Sequence, residues 1–118
     1  MKKHELNESE ITFEAVRNIL NDMFYEIRQL SYKVDNEETY DRLCSCLDGS
    51  VDDVPGVMLL MGYLKGETFS LVTDQKTGER RYVKDEPQDP KKIYVLANKL
   101  VDVVNGIVEK QKVVTNKR

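Results

Sequence analysis

The sequence has few of the residues and patterns that mark catalytic, metal-binding or membrane proteins. Among 118 residues there is one histidine, there are two cysteines, and the longest uncharged run, residues 54–64, spans eleven residues. Eleven residues are too few to cross a bilayer. The polar N-terminus also lacks the apolar segment of a signal peptide. The sequence therefore predicts a cytoplasmic protein that has no membrane partner.

The single histidine restricts nucleophilic catalysis, because Ser–His and Cys–His sites need a positioned base. His4 lies in an N-terminal segment, residues 1–8, that we expect to be flexible. The adjacent carboxylates at 37–38 and 52–53 are placed where acidic residues favour a helix N-terminus. A glycine-rich phosphate loop is also missing. We therefore expect no enzymatic activity.

The two cysteines do not make a metal site. Cys44 and Cys46 are two positions apart, so on a helix their side chains point about 200° away from each other. A structural zinc site needs four ligands, and no second Cys or His pair completes one. We expect two reduced thiols, one of them packed in the core, and no metal or cofactor.

Charge is distributed unevenly along the chain, which has a net charge of −3. Residues 1–60 hold thirteen acidic and six basic residues, a net of −7, and residues 61–118 hold eight acidic and twelve basic residues, a net of +4. A basic bias of this size is smaller than that of a dedicated nucleic-acid-binding domain. The opposite net charges of the two halves favour their mutual attraction, within one fold or across a dimer.

Apolar spacing predicts two long amphipathic helices at the ends of the chain. The first begins near Ser9 or Asn7 and extends to about Val34, with apolar residues spaced alternately by three and four. The last opens with Asp89 as N-cap and Pro90 at its first position. Beyond residue 112 we expect a flexible tail, residues 113–118.

The middle of the chain predicts two shorter helices and a hairpin. Asp35 is placed to cap a helix that ends at Gly49. Ser50, Asp52 or Asp53 as a cap favours a helix over the apolar residues 57–64. Residues 67–84 read as two strands joined by a turn. The expected fold is mainly α with one β-hairpin, in the order helix, helix, helix, hairpin, helix, within one domain of residues 9–112.

The two terminal helices present more apolar surface than the shorter elements should cover. Such a surplus is typical of a homodimer in which terminal helices of two chains pack together. The residues predicted to form this dimer or partner surface are Val16, Leu20, Met23, Ile27, Leu30, Leu96, Leu100, Val103 and Ile107.

The same order of elements occurs in winged-helix domains with an added dimerisation helix. Together with the Arg80-Arg81-Tyr82 stretch of the hairpin, it is similar in general pattern to the PadR-like regulators, in which a basic stretch of this kind lies on the wing. The resemblance covers the hairpin and the element order only. It implies a DNA-binding wing whose phosphate contacts would be Lys76, Arg80, Arg81 and Lys84.

The third predicted helix departs from that pattern. A recognition helix offers Arg, Lys, Asn, Gln or Ser to base edges, whereas this segment starts with two aspartates and continues with apolar residues. The sequence therefore favours a small non-catalytic protein-interaction module, an adaptor, regulator or inhibitor with an unidentified protein partner. The winged-helix DNA-binding regulator is the second hypothesis.

Overall fold

The computed structural model describes the backbone of residues 1–116 and the side chains of residues 1–110. Within that range the chain forms four α-helices and two small antiparallel sheets. The elements are α1 (Phe13–Tyr32), α2 (Glu37–Asp48), β1 (Ser50–Val51), β2 (Val54–Pro55), α3 (Val57–Lys65), β3 (Phe69–Thr73), β4 (Arg80–Lys84) and α4 (Pro90–Asn116). The predicted fold class, mainly helical with a β-hairpin, is confirmed, and residues 57–64 are helical.

All four helices contact one another and enclose one core. Its residues are at most 5% exposed, and they come from one apolar face of each of the four helices. The core consists of Val16, Leu20, Met23, Ile27, Leu43, Cys46, Val57, Leu60, Leu64, Ile93, Ala97, Leu100, Val101, Val104 and Ile107.

This core corrects the expectation that the terminal helices carry a surplus of apolar surface. Of the nine residues predicted to face a second chain, six are buried within one chain: Val16, Leu20, Met23, Ile27, Leu100 and Ile107. The other three, Leu30, Leu96 and Val103, are half-buried against the same core. The expectation failed because α2 and α3 both pack against the apolar faces of α1 and α4. These two short helices therefore cover more surface than their lengths suggest.

α1 begins later than predicted because two capping signals follow each other closely. Asn7 caps a single 3₁₀ turn, residues 8–10, after which the chain leaves helical geometry. Thr12 then caps α1, and its hydroxyl accepts a hydrogen bond from the Ala15 N–H at 3.2 Å. The single helix expected from Ser9 is therefore a short turn followed by α1.

The other helix starts agree with the sequence to within a residue, apart from α3. Asn36, not Asp35, caps α2, and its side chain accepts from the Thr39 N–H at 3.0 Å. α4 starts at Pro90 as predicted, and the Asp89 side chain accepts from the backbone of the first turn at 2.9 Å.

The segment before α3 is a second, unpredicted hairpin. β1 and β2 pair directly, and Asp52 and Asp53 form the turn between them with φ angles of 51° and 63°. Positive φ at both central residues defines the type I′ turn of two-residue hairpins, in which Asp is tolerated. Consequently neither aspartate caps α3, whose N-cap is Gly56. The predicted acidic cap is wrong.

The first eight residues, here called the N-terminal strap, lie along α4. The Met1 nitrogen donates to Asn105 Oδ1 at 2.9 Å, and Asn105 Nδ2 donates to the Met1 carbonyl at 2.8 Å. Asn98 makes the same pair of contacts with the backbone of His4, at 2.9 and 3.2 Å. The structure thus places the segment that was expected to be flexible against α4, where two asparagine side chains hydrogen-bond to its backbone.

Further contacts continue the strap along the helix. The Tyr94 hydroxyl donates to the carbonyl of His4 at 2.6 Å. Lys3 pairs with Asp102 at 2.9 Å, and Lys91 pairs with a carboxylate of the strap, Glu8, at 2.8 Å. Both ion pairs are exposed and therefore weak. The attachment therefore rests mainly on the hydrogen bonds that Tyr94, Asn98 and Asn105 make with the main chain of the strap.

The C-terminal boundary also differs from the prediction. α4 continues to Asn116, so the helical backbone includes most of the tail expected at residues 113–118. Residues 117–118 lie outside the described residues.

Candidate interaction surface on the β3–β4 hairpin

The β3–β4 hairpin has the turn that the sequence predicts. Its register sets Leu71 opposite Tyr82 and Thr73 opposite Arg80. Within the turn, Gly78 takes a φ of +72° and donates its N–H to the Asp74 carbonyl at 2.8 Å. Glycine adopts that conformation without strain, so Gly78 suits the turn.

The register divides the hairpin into two faces. Residues directly opposite each other in an antiparallel pair share a face, and successive residues alternate. One face, called the aromatic face below, consists of Phe69, Leu71, Thr73, Arg80, Tyr82 and Lys84. The other face consists of Ser70, Val72, Arg81 and Val83.

The aromatic face is open to solvent. Phe69 is 61% exposed, Leu71 50% and Tyr82 74%, and every other residue of the two strands is exposed as well. Large apolar side chains that cluster on one exposed surface are uncommon in a protein that has no partner. Arg80 and Lys84 lie on the same face and give it a basic rim.

The hairpin joins the helical body only at its base. Neither strand packs broadly against a helix, and within the described chain no strand residue belongs to the core. The chain crosses the base at Gly66, whose φ is +71°, and an added Cβ there would lie 2.7 Å from Pro87. The Gln88 N–H also donates to the Tyr63 carbonyl at 2.9 Å. These contacts hold the two strand ends against α3.

One carboxylate fastens the base of the hairpin. Asp85 accepts hydrogen bonds from the hydroxyls of Thr68, at 2.8 Å, and Ser70, at 2.7 Å. The bonds from Ser70 and Thr68 hold the pKa of Asp85 below its ordinary value, because they stabilise the charged form. The Asp85 N–H donates to the Thr68 carbonyl at 2.8 Å and completes the base.

The four basic residues predicted for nucleic-acid contact are all exposed on this hairpin. They are not on one surface, however. Arg80 and Lys84 belong to the aromatic face, Arg81 to the opposite face, and Lys76 to the turn. Asp74 and Glu79 lie in the same turn, so the turn itself is not basic. Both faces of the hairpin therefore carry apolar and basic groups, but its two aromatic side chains, Phe69 and Tyr82, lie on one face.

α3 lacks the side chains of a DNA-recognition helix. Its exposed residues are Met58 and Lys65, and Leu60 and Leu64 face the core. The aspartates before it lie in the β1–β2 turn. Direct base readout by α3 would have to use a methionine and one lysine, which provide very few hydrogen-bonding groups.

The surroundings of the two cysteines and of the Glu37-Glu38 pair are those of residues that serve the fold. Cys46 lies in the core, where burial raises the pKa of its thiol to about 11, so that very little thiolate exists at neutral pH. Cys44 is half-buried, and both thiols are unpaired. Glu37 and Glu38 occupy the first turn of α2, where their negative charges interact favourably with the positive end of the helix dipole.

Besides the β1–β2 hairpin, sequence reasoning missed two features of the molecule. It identified the hairpin but not its exposed apolar face, because strand alternation says which residues share a face and not whether that face is covered. It also missed the strap. A signal was present in α4, where Tyr94, Asn98 and Asn105 interrupt the apolar pattern at intervals of four and seven and therefore lie on one side of the helix.

None of the helices traced between residues 1 and 116 is both long enough and apolar enough for a transmembrane segment. Comparison with known proteins finds no family model that matches the sequence, and no curated protein or solved structure that is similar to the chain.

Proposed function

We propose that this protein is a small, non-catalytic protein-interaction module of the cytoplasm, and that its partner surface is the aromatic face of the hairpin. The observation that carries the proposal is the exposure of Phe69, Leu71 and Tyr82 together on one side of a hairpin. Tyrosine and other aromatic residues are the usual anchors of protein interfaces. The reduced thiols suit a cytoplasmic location.

The chemistry of the face describes the partner. On this face Tyr82 lies between Arg80 and Lys84, and Phe69 and Leu71 lie beside them on β3, so a complementary surface combines apolar groups with carboxylates along one side. Rim charges mainly speed encounter and select the partner, while the desolvated aromatic centre supplies affinity. We therefore expect an acidic, aromatic or aliphatic segment of another protein to bind here, without a cofactor.

The proposal moves the interaction surface from the terminal helices to the hairpin. The stripes of α1 and α4 are used inside the chain, and exposing Leu20 or Leu100 to a partner would require the core to open. Binding through the hairpin needs no such change, because the hairpin residues are already exposed. The core also contains no residue of the hairpin.

A selection from a phage-displayed library of random peptides tests this proposal. The wild-type protein is the bait, and Tyr82→Ser is the counter-bait. Val83→Ser is the matched control, because Val83 is adjacent but lies on the opposite face. We expect selected peptides to combine Asp or Glu with aromatic or aliphatic residues. Their affinity should fall at least about tenfold for Tyr82→Ser and by less than about twofold for Val83→Ser.

Two results would contradict the proposal. In one, no peptide is enriched on the wild type relative to Tyr82→Ser. In the other, both serine variants lose affinity equally, which would show that binding does not depend on the aromatic face.

A DNA-binding wing is the second candidate function, favoured by the exposure of Arg80, Arg81 and Lys84 on one hairpin. With a Debye length of about 8 Å at physiological ionic strength, Asp85 and Glu86 screen much of this charge. Fluorescence anisotropy with mixed-sequence duplex DNA separates the two candidates. Submicromolar affinity at physiological salt, lost in an Arg80→Ala, Arg81→Ala double variant, would favour the wing.

A further inference from the structure

The two edges of the hairpin differ in charge. β4 carries Arg80, Arg81 and Lys84 among its five residues, whereas the five residues of β3 carry no charge. Both are edge strands, because the sheet has two strands only. Proteins commonly protect an edge strand with lysine, arginine or proline, so that it does not pair with another chain. β4 has this protection, and β3 does not.

The hydrogen-bond pattern shows which backbone groups are free on β3. Asp85 donates to the Thr68 carbonyl and Asp74 donates to the Glu79 carbonyl, which makes 68–85 and 74–79 hydrogen-bonded pairs. Such pairs alternate along an antiparallel ladder. The N–H and C=O groups of Phe69, Leu71 and Thr73 therefore point away from β4, towards the open edge. The same three side chains lie on the aromatic face.

We propose that the open edge of β3 is the site at which a second copy of this chain binds, through antiparallel β3–β3 pairing centred on Leu71. In that register Leu71 faces Leu71 of the second copy, and Phe69 faces Thr73. The two hairpins become one four-stranded sheet whose outer strands are the two charged β4 strands. All outward N–H and C=O groups of β3 find partners.

Charge and stability both favour this arrangement over its alternatives. Pairing through β4, centred on Tyr82, would set Arg80 opposite Lys84 of the second copy, and like charges directly opposite each other are destabilising. An isolated two-stranded hairpin is marginally stable in water, and a sheet without helix packing needs three or more strands with an apolar face for independent stability. The four-stranded sheet meets that condition and unites two aromatic faces into one apolar surface.

This inference extends the proposed function, because the joined faces would form the partner surface, but the two can fail separately. Self-association is measured with the chain alone. If the chain dimerises through β3 but selects no peptide, this inference stands and the proposed function is contradicted. If the chain is a monomer that selects peptides, the proposed function stands and this inference is contradicted.

Sedimentation of the full chain at about tens of micromolar tests whether the dimer exists. We expect the wild type to have twice the chain mass of 13.7 kDa. Leu71→Pro removes an outward N–H, leaves the β3–β4 ladder unbroken and should give a monomer. Leu71→Lys places two like charges opposite each other and should also give a monomer. Val83→Lys adds the same charge on the other strand and face and should remain a dimer.

Disulfide trapping tests the register directly. In a Cys44→Ser background, Leu71→Cys sets two thiols opposite each other at the centre of the pairing, within disulfide reach. The control is Val83→Cys, whose two copies would be separated by three strand spacings, about 14 Å, which is too far for a disulfide. Mild oxidation should therefore link Leu71→Cys chains and not Val83→Cys chains.

A wild type that is monomeric at these concentrations overturns the inference. So does a dimer that persists in both Leu71→Pro and Leu71→Lys, or a dimer that cross-links as readily through Val83→Cys as through Leu71→Cys. Circular dichroism of each variant verifies that the helical body is folded, which is expected because the core contains no hairpin residue.

Discussion

The helical body and the β3–β4 hairpin use similar residues in opposite ways. Leu60 of α3 is fully buried, whereas Leu71, eleven positions later, is half exposed. In the body every helix has three neighbours to cover its apolar stripe, but each strand of the hairpin has only the other strand. Residue type therefore does not decide burial here. The number of elements that the topology brings to each side does.

The largest expected difference between the two regions is in the cost of removing a leucine. Leu60→Ala leaves a cavity in the core and should lower the free energy of unfolding by about 2–5 kcal/mol. Leu71→Ala should change it by less than about 0.5 kcal/mol at concentrations where the chain is monomeric, because that side chain touches little. Urea denaturation followed by circular dichroism measures both. Equal costs would show that the hairpin belongs to the cooperative unit of the body.

A smaller contrast is expected between two glycines. At Gly56 an added Cβ would lie 2.7 Å from the Gly49 carbonyl oxygen and 2.8 Å from that of Cys46, so Gly56→Ala forces backbone atoms apart. We expect a loss of about 1–3 kcal/mol and a lower Tm for the whole body.

Gly78, in the hairpin turn, has open space around it but a φ of +72°. Gly78→Ala should therefore cost only the strain of a left-handed alanine, about 1 kcal/mol, and only within the hairpin. Hydrogen exchange of strand amides should accelerate while the Tm of the body stays constant. A fall in Tm as large as that of Gly56→Ala would contradict the separation of the two regions.

The smallest expected effect concerns pH and the base of the hairpin. Because hydrogen bonds from Ser70 and Thr68 lower the pKa of Asp85, the charged carboxylate stabilises the base. That stabilisation is fully present above the ordinary pKa of an aspartate, about 3.9, and is lost as pH falls through the lower folded value. Carboxyl NMR titration should show Asp85 titrating below its ordinary range, and Ser70→Ala should raise its pKa. An unchanged pKa in Ser70→Ala would exclude the hydrogen bond as the cause.

Local patterns were enough to predict the helices and the main hairpin. Spacings of three and four residues identified α1 and α4, and Asp89-Pro90 gave the start of α4, because these signals depend on near neighbours in sequence. The β1–β2 hairpin was missed because local signals do not distinguish it from a helix start. Asp52 and Asp53 suit both a helix N-terminus and a type I′ turn, and the choice depends on the packing of α2 against α3.

The candidate site could be predicted in part only. The sequence placed Arg80, Arg81 and Lys84 on an exposed hairpin, as the structure has them. It could not say that the apolar residues beside them would stay uncovered, because coverage depends on contacts between residues far apart in the chain. The assignment of Leu20 and Leu100 to a dimer surface failed on that same point.

The strap has a consequence for sequence freedom. Asn98 hydrogen-bonds to the N–H and C=O groups of His4, and Asn105 to the terminal ammonium and C=O groups of Met1, so both contact the main chain of the strap and not its side chains. The side chains that specify this contact therefore belong to α4 and not to the strap. Exposed strap positions such as Lys2 and Glu5 can therefore be exchanged while the segment keeps its course, whereas Met1 packs against the core and His4 is partly buried.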